Sequence, residues 1–231
     1  MSDLQRLIEG FDSGELVRPF GGSTSLVDVV RAAAKVCGVH DIPMNDSTRA
    51  IADHRGRAEH LIFVLADGLG IQFIDQLPRG SWLRKHTKRT ILATYPPTTP
   101  VALTTIATGA YPSDHAITGW WTHLPSLNAP VTVFHNRRAT DEVSLDDLGI
   151  DFRELCPREP LMPRMQRDVA LFMPTAIAAS PFSRYMAGGR PSVGYGRHAE
   201  AAQKIARRLA DATGPTFTYW YTPYPDTPAH A

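Results

Sequence analysis

Apolar and polar positions follow two periods along this chain. After Ser25, the residues Leu26, Val29, Val30, Ala33 and Ala34 recur at helical spacing and Gly38 follows, which predicts a helix to about Val36. Ala202, Ile205, Ala206 and Leu209 form a second such stripe, predicting a helix over 199–212 with Gly214 as its stop. Leu61 to Leu65 is instead a continuous apolar run, as expected of a strand buried on both faces of a parallel sheet. Strands are also predicted over 91–95, 131–134 and 217–221, and short helices over 3–10 and 71–77. The polar stretch 40–58 reads as an irregular connection, and Arg18-Pro19-Phe20-Gly21-Gly22-Ser23 as a turn. Pro100 suits the first position of a helix over 101–107, with Thr99 as N-cap and Gly109 as its end. Strands alternating with helices make this an α/β chain with a largely parallel sheet flanked by helices. The expected organisation is a lead-in over 1–58 and a core over 59–231. The charge- and proline-rich stretch from 135 begins a lid or insertion that extends to about 198.

Composition narrows the function classes. The 231 residues are 43% hydrophobic and 20% charged, enough apolar content for a sizeable core. A net charge of +1 gives no basic face for nucleic acid. Cys37 and Cys156 form no C-x-x-C pair and read as free buried thiols. The N-terminus has no apolar leader segment, and no run of about 18 apolar residues offers a membrane span. The chain is therefore expected to be cytoplasmic, with no nucleic-acid or membrane partner.

The chemistry sits at the ends of the predicted strands, where open α/β sheets bind ligands. Asp67 ends the run over 61–65 and enters a glycine turn, Thr99 follows the 91–95 run, and Asp226 follows the 217–221 run. A hydroxyl at a helix start lies among unpaired N–H groups that favour an anion such as phosphate. Threonine is a weak nucleophile unless activated, and a divalent ion held by Asp67 would serve. Asp226 and His230, four residues apart, are a ligand pair that zinc accepts. Each residue alone also has an ordinary reading, as turn, helix cap or solvated tail. Their order along an α/β chain is what makes the set specific.

That set resembles the alkaline phosphatase superfamily, in its type I phosphodiesterase and nucleotide pyrophosphatase branch. The resemblance rests on Val64-Leu65-Ala66-Asp67-Gly68, on Pro97-Thr98-Thr99-Pro100 running into Thr108-Gly109-Ala110-Tyr111-Pro112, on Asp114-His115-Ala116-Ile117-Thr118-Gly119, and on Tyr224-Pro225-Asp226-Thr227-Pro228-Ala229-His230. It implies an alkaline phosphatase-like core and a hydrolase that works on a small-molecule phosphate ester through a phosphothreonine. By resemblance Thr99 is the nucleophile, favoured over the adjacent Thr98. Asp67 and Thr99 belong to one divalent metal ion, Asp226 and His230 to a second, and the expected metal is zinc. His115 and Trp120 are weaker candidates for substrate contact, with a structural role also open for His115.

The departures shape the expectation further. The family's later Asp-His-Gly pair and last histidine have no counterpart, the glycine of the H-G loop is Ala116, and Trp120 stands where nucleotide-cleaving members carry an asparagine. The chain is thus expected to be an N-terminal part of a longer enzyme, incomplete at its C-terminus, with weak metal binding and little turnover of its own. The alternatives are a truncated or degenerate non-catalytic domain, and a phosphomonoesterase or phosphomutase of the same superfamily. Trp121, Phe134 and Tyr185 are further candidates for an apolar substrate wall, and Arg137-Arg138 for a phosphate contact.

Overall fold

The computed structural model describes residues 1–18, 23–55 and 58–229. In chain order the first half runs α1 (Asp3–Ser13), α2 (Leu26–Val36), α3 (Asp46–Arg55), β1 (His60–Ala66), α4 (Ile71–Gln76), α5 (Trp82–His86), α6 (Thr99–Thr108) and α7 (Pro112–His115). The second half runs β2 (Trp121–Leu124), β3 (Ala129–Thr132), β4 (Arg137–Arg138), α8 (Phe152–Leu155), β5 (Asp168–Pro174), α9 (Pro181–Ala187), β6 (Ser192–Tyr195), α10 (His198–Ala210), β7 (Thr216–Thr222) and α11 (Asp226–Ala229). Four parallel strands form the main sheet in the order β1-β7-β5-β6, and β2-β3-β4 form a small antiparallel sheet. This is the α/β architecture the apolar periodicity predicts, and it is consistent with an alkaline phosphatase-like core.

Alternation along the strands divides the core between the two faces of the sheet. Val169, Leu171 and Met173 of β5, with Phe217, Tyr219 and Tyr221 of β7, pack in one cluster with residues of α2, α6 and α9. Ala170, Phe172 and Tyr195 point to the other face and pack under Ala201 and Ile205 of α10. The helix α6 lies inside the main cluster and is buried from Pro100 to Thr108 except at half-buried Ala102. Its threonines survive burial by bonding back along the helix, Thr104 Oγ1 donating to the Pro100 carbonyl and Thr108 Oγ1 to the Thr104 carbonyl, both at 2.7 Å. Gly109, at φ +65°, ends the helix in the left-handed conformation. Cys37 and Cys156 are free and buried, as expected.

Several expectations change. The 91–95 run is no strand of the sheet: Leu92 makes an isolated bridge to Ser25, and its backbone pairs with Thr24 and Leu26 rather than with β1. The helix α6 begins at Thr99 with Thr98 as its cap, one residue earlier than the proline suggests. The polar stretch 40–58 contains α3, whose start is tied to α2 through one carboxylate. Asp28 is 1% exposed and accepts from Asn45 Nδ2 at 2.7 Å and Thr48 Oγ1 at 3.1 Å as well as from Ser25. Burial pushes its carboxyl up, but these hydrogen bonds outweigh it and hold the group below the ordinary carboxylate value. The stretch 135–198, expected as a lid or insertion, carries β5 and β6, and Leu145, Leu155, Leu161 and Met162 within it are at most 2% exposed. It lies in the sheet and core rather than over them, because Val169 to Met173 is itself a doubly buried apolar run. Among the described residues no helix is long and apolar enough to cross a membrane.

Candidate active site

β1 and β7 run side by side in register, with Ala66 opposite Thr222, so the chain leaves both strands at the same edge of the sheet. The backbone ties the two exits together. The Asp67 N–H donates to the Thr222 carbonyl at 2.9 Å, and the Asp226 N–H donates to the Asp67 carbonyl at 3.0 Å. Gly68, at φ +74°, turns the chain there, and a Cβ on it would lie 2.8 Å from the backbone of Asp226. Only glycine allows so close an approach in this conformation.

Three side chains converge at this edge. Thr99 opens α6, and its hydroxyl donates to Asp67 Oδ2 at 3.2 Å. Tyr221, which faces the main core from the end of β7, donates its phenol to the same oxygen at 2.8 Å. Burial and the charge of Asp67 both push the Tyr221 phenol up, so it stays protonated and remains a donor. Asp226, half-buried, lines the same pocket as Asp67 and Thr99. The pocket has a volume of about 420 Å³, within the usual range for small-molecule sites. Its lining also includes the aromatic residues Trp120, Phe134 and Phe182. Two other clefts, of about 500 and 870 Å³, are lined by no aspartate or glutamate.

The expected site residues divide accordingly. Asp67, Thr99 and Asp226 come together, and Trp120 lines their pocket. Thr98 is not among the residues lining that pocket, and its buried hydroxyl has no hydrogen-bond partner among the described residues. His230 lies outside the described residues. His115 is not at the pocket. It is fully buried, with Nε2 3.2 Å from Thr105 Oγ1 and Nδ1 accepting from the Ile117 N–H at 3.1 Å. An accepting Nδ1 leaves the proton on Nε2, so both ring nitrogens are used in holding the α6–α7 corner. Of the aromatic candidates, Phe134 lines the pocket. Trp121 is 66% exposed on β2, and Tyr185 donates to the Arg158 carbonyl elsewhere. Arg138 is paired with Asp141, and Arg137 donates to the Glu142 carbonyl, so neither is directed at the pocket. Tyr221 and Phe182 are site residues that no motif marks. Alternation within the Phe217–Tyr221 run, which sends Tyr221 to the same face as Tyr219, is the one local signal for the first.

Asp67, Asp226 and the Thr99 hydroxyl are hard oxygen donors suited to a divalent cation. Among the described residues no group of three or more His, Cys, Asp or Glu is placed to hold a metal ion. The donors described fit part of the shell of one cation and do not by themselves build a two-zinc centre. Comparison with curated proteins and with solved structures gave no match. Residues 61–231, about three quarters of the chain, match the family model for type I phosphodiesterase / nucleotide pyrophosphatase. The matched segment begins in β1, takes in Asp67, Thr99 and Asp226, and runs through the rest of the main sheet. With that span, the chain belongs to the type I phosphodiesterase / nucleotide pyrophosphatase family, a phosphoester hydrolase family within the alkaline phosphatase superfamily.

Proposed function

We propose that the pocket of Asp67, Thr99 and Asp226 is a phosphoryl-transfer site in which Thr99 is the nucleophile and a small-molecule phosphate ester the substrate. The observation that carries this reading is the contact between Thr99 Oγ1 and the Asp67 carboxylate at the N-terminus of a buried helix. Thr99 Oγ1 attacks phosphorus, the bond from phosphorus to the leaving alkoxide breaks, and the phosphoryl group stays on Thr99 until water displaces it. Asp67 Oδ2 takes up the hydroxyl proton, while the Tyr221 hydrogen bond fixes the orientation of that carboxylate. The first-turn amides of α6 and the helix dipole favour the phosphoryl charge.

Asp67 and Thr99 would hold one divalent cation and Asp226, with His230, would belong to a second; zinc suits the Asp/His pair. When bound, such ions lower the pKa of a hydroxyl or water and offset charge on the phosphoryl oxygens. The non-catalytic reading is favoured by one observation, the lack of a third carboxylate or imidazole around Asp67 and Asp226 among the described residues.

The test uses bis(p-nitrophenyl) phosphate in zinc-containing buffer, followed by intact-mass analysis and p-nitrophenol release. Aryl-phosphoryl adduct is expected on the wild-type chain and on Thr98→Ala, and none on Thr99→Ala. Release beyond about one equivalent is not expected from a site short of ligands. An adduct that survives Thr99→Ala overturns the nucleophile assignment. Absence of any adduct on a folded wild-type chain, with no release, supports the non-catalytic domain.

A further inference from the structure

We infer that the surface formed by α4, α5 and the chain that follows them to Arg89 docks onto an anionic lipid membrane. None of its residues lines the pocket of Asp67, Thr99 and Asp226, so the inference stands apart from the chemistry proposed there. Two independent features of the surface point the same way.

The first is charge. The net charge of +1 averages over an uneven distribution. Between Leu69 and Ile91 the chain carries Arg79, Arg84, Lys85, Lys88 and Arg89 against one acidic residue, Asp75, and the next acidic residue along the chain is Asp114. Among the described residues none of these five cations is paired with a carboxylate, whereas Arg138, Arg184 and Arg208 elsewhere are. Arg84 instead donates to the Leu77 carbonyl at 2.7 Å, which ties α5 back to the end of α4, and Arg89 donates to the Thr24 hydroxyl. Lys88 and Arg89 also line the cleft of about 870 Å³, whose lining contains no carboxylate. Basic residues clustered without counter-charge are attracted to anionic headgroups.

The second is the apolar side chains set among these cations. Neither α4 nor α5 buries a single residue. Trp82 is 70% exposed, and Leu69, Ile71, Phe73 and Leu83 are 36% to 45% exposed. Apolar residues of a surface helix ordinarily face the core, and here the core lies elsewhere. Trp82 stacks on His86 at 4.5 Å between ring centroids, so one face of its indole is already covered. A nucleic acid would answer the cations but offers no hydrocarbon to leucine, isoleucine and phenylalanine, and it is held by aromatic platforms with open faces. The boundary between headgroups and acyl chains answers both features. Lysine and arginine stems reach the phosphates while tryptophan, phenylalanine and leucine enter the apolar layer. Gly68 turns the chain from Asp67 directly into this stretch, which links the docked surface to the strand that carries Asp67.

The experiment is co-sedimentation of the folded chain with vesicles of phosphatidylcholine alone, or of phosphatidylcholine with about 30% phosphatidylserine. Binding is expected to be at least about tenfold tighter on the anionic vesicles, and to weaken at least about fivefold in about 0.5 M sodium chloride. Lys85→Glu on α5 is expected to weaken it at least about fivefold, and Arg207→Glu, the same charge change on exposed α10, by less than about twofold. Trp82→Ser/Leu83→Ser is expected to weaken it at least about fivefold with the far-UV circular dichroism unchanged. No binding to the anionic vesicles, equal binding to both kinds, or equal losses from the α5 and α10 charge variants overturns the inference. Binding that survives Trp82→Ser/Leu83→Ser also overturns it, and competition by a DNA duplex in that case assigns the surface to nucleic acid.

Discussion

His115 illustrates how one side chain couples the structure to pH. Burial pushes its imidazole down to about 4, against an ordinary value near 6.5, outweighing backbone hydrogen bonding and the charge of Asp114, which push it up. Between those values the unfolded chain binds a proton that the folded chain does not. Stability is therefore full above about pH 6.5, falls as pH drops through this window, and levels off below about 4, the total loss being at most about 3 kcal/mol. Urea unfolding at pH 7 and pH 4.5 measures it. His115→Gln is expected to be less stable at pH 7, because the bonds to Thr105 and Ile117 are disturbed, and to show a flatter profile across the window. A variant whose profile matches wild type would assign the acid sensitivity to other groups. The same residue was legible in the sequence only as part of a motif. Its neighbours Thr105 and Ile117 are near in the chain, but nothing local distinguishes a ring buried at a helix corner from one facing a ligand. Asp67 and Thr99 were legible because glycine after a strand and proline after threonine are local signals of the chain's exits. The partner that orients Asp67, Tyr221, lies 154 residues away and has no such signal.

At the scale of elements, the sheet is unevenly covered. β7 and β5 are buried nearly throughout, whereas no residue of β1 is buried and Ile62 and Val64 are 41% and 51% exposed. The helix α10 covers the face shared by β5, β6 and β7, and β1 lies at the sheet edge beyond it. The continuous apolar run of β1 has the form of a doubly buried strand, yet it occupies an edge with no charge, proline or bulge of its own. Substitutions should separate the two situations. Leu171→Ala, in the fully buried interior of β5, is expected to cost about 2–5 kcal/mol in denaturant unfolding. Val64→Lys on the open face is expected to cost less than about 1 kcal/mol and to lower light scattering at high protein concentration. Comparable losses at both positions would show that β1 is covered in solution.

Across the whole molecule, the N-terminal helix stands apart from the core. α1 is capped by Ser2 with Gln5 at its start and by Gly14 at its end, so it is well formed locally. Its apolar stripe nevertheless faces outward, with Leu4, Leu7 and Ile8 at 65%, 45% and 45% exposure. Leu16 folds back onto Gly10, the one buried residue of the helix. In contrast, α2 contributes Val30 and Ala34 to the main cluster, and Asp28 ties α3 to it. Deleting residues 1–13 is therefore expected to change stability by less than about 0.5 kcal/mol by chemical denaturation. A loss of several kcal/mol would place α1 against the core.

The sequence alone determined the local elements whose signals span a few residues: the runs of β1 and β7, the amphipathic helices α2 and α10, the glycine stop of α6 and its start to within one residue, and hence which carboxylates and which hydroxyl stand near strand and helix ends. It also placed the chain in its family through those same short motifs. Only the tertiary structure decided which ends meet. β7 rather than the 91–95 run became the neighbour of β1, the charged and proline-rich second half supplied β5 and β6, Tyr221 came to Asp67, and His115 turned into the core. Periodicity and capping report on contacts within a turn or a strand. Strand partners and buried hydrogen bonds are chosen by packing between segments far apart in the chain, where the competing arrangements differ in buried area and in no local pattern.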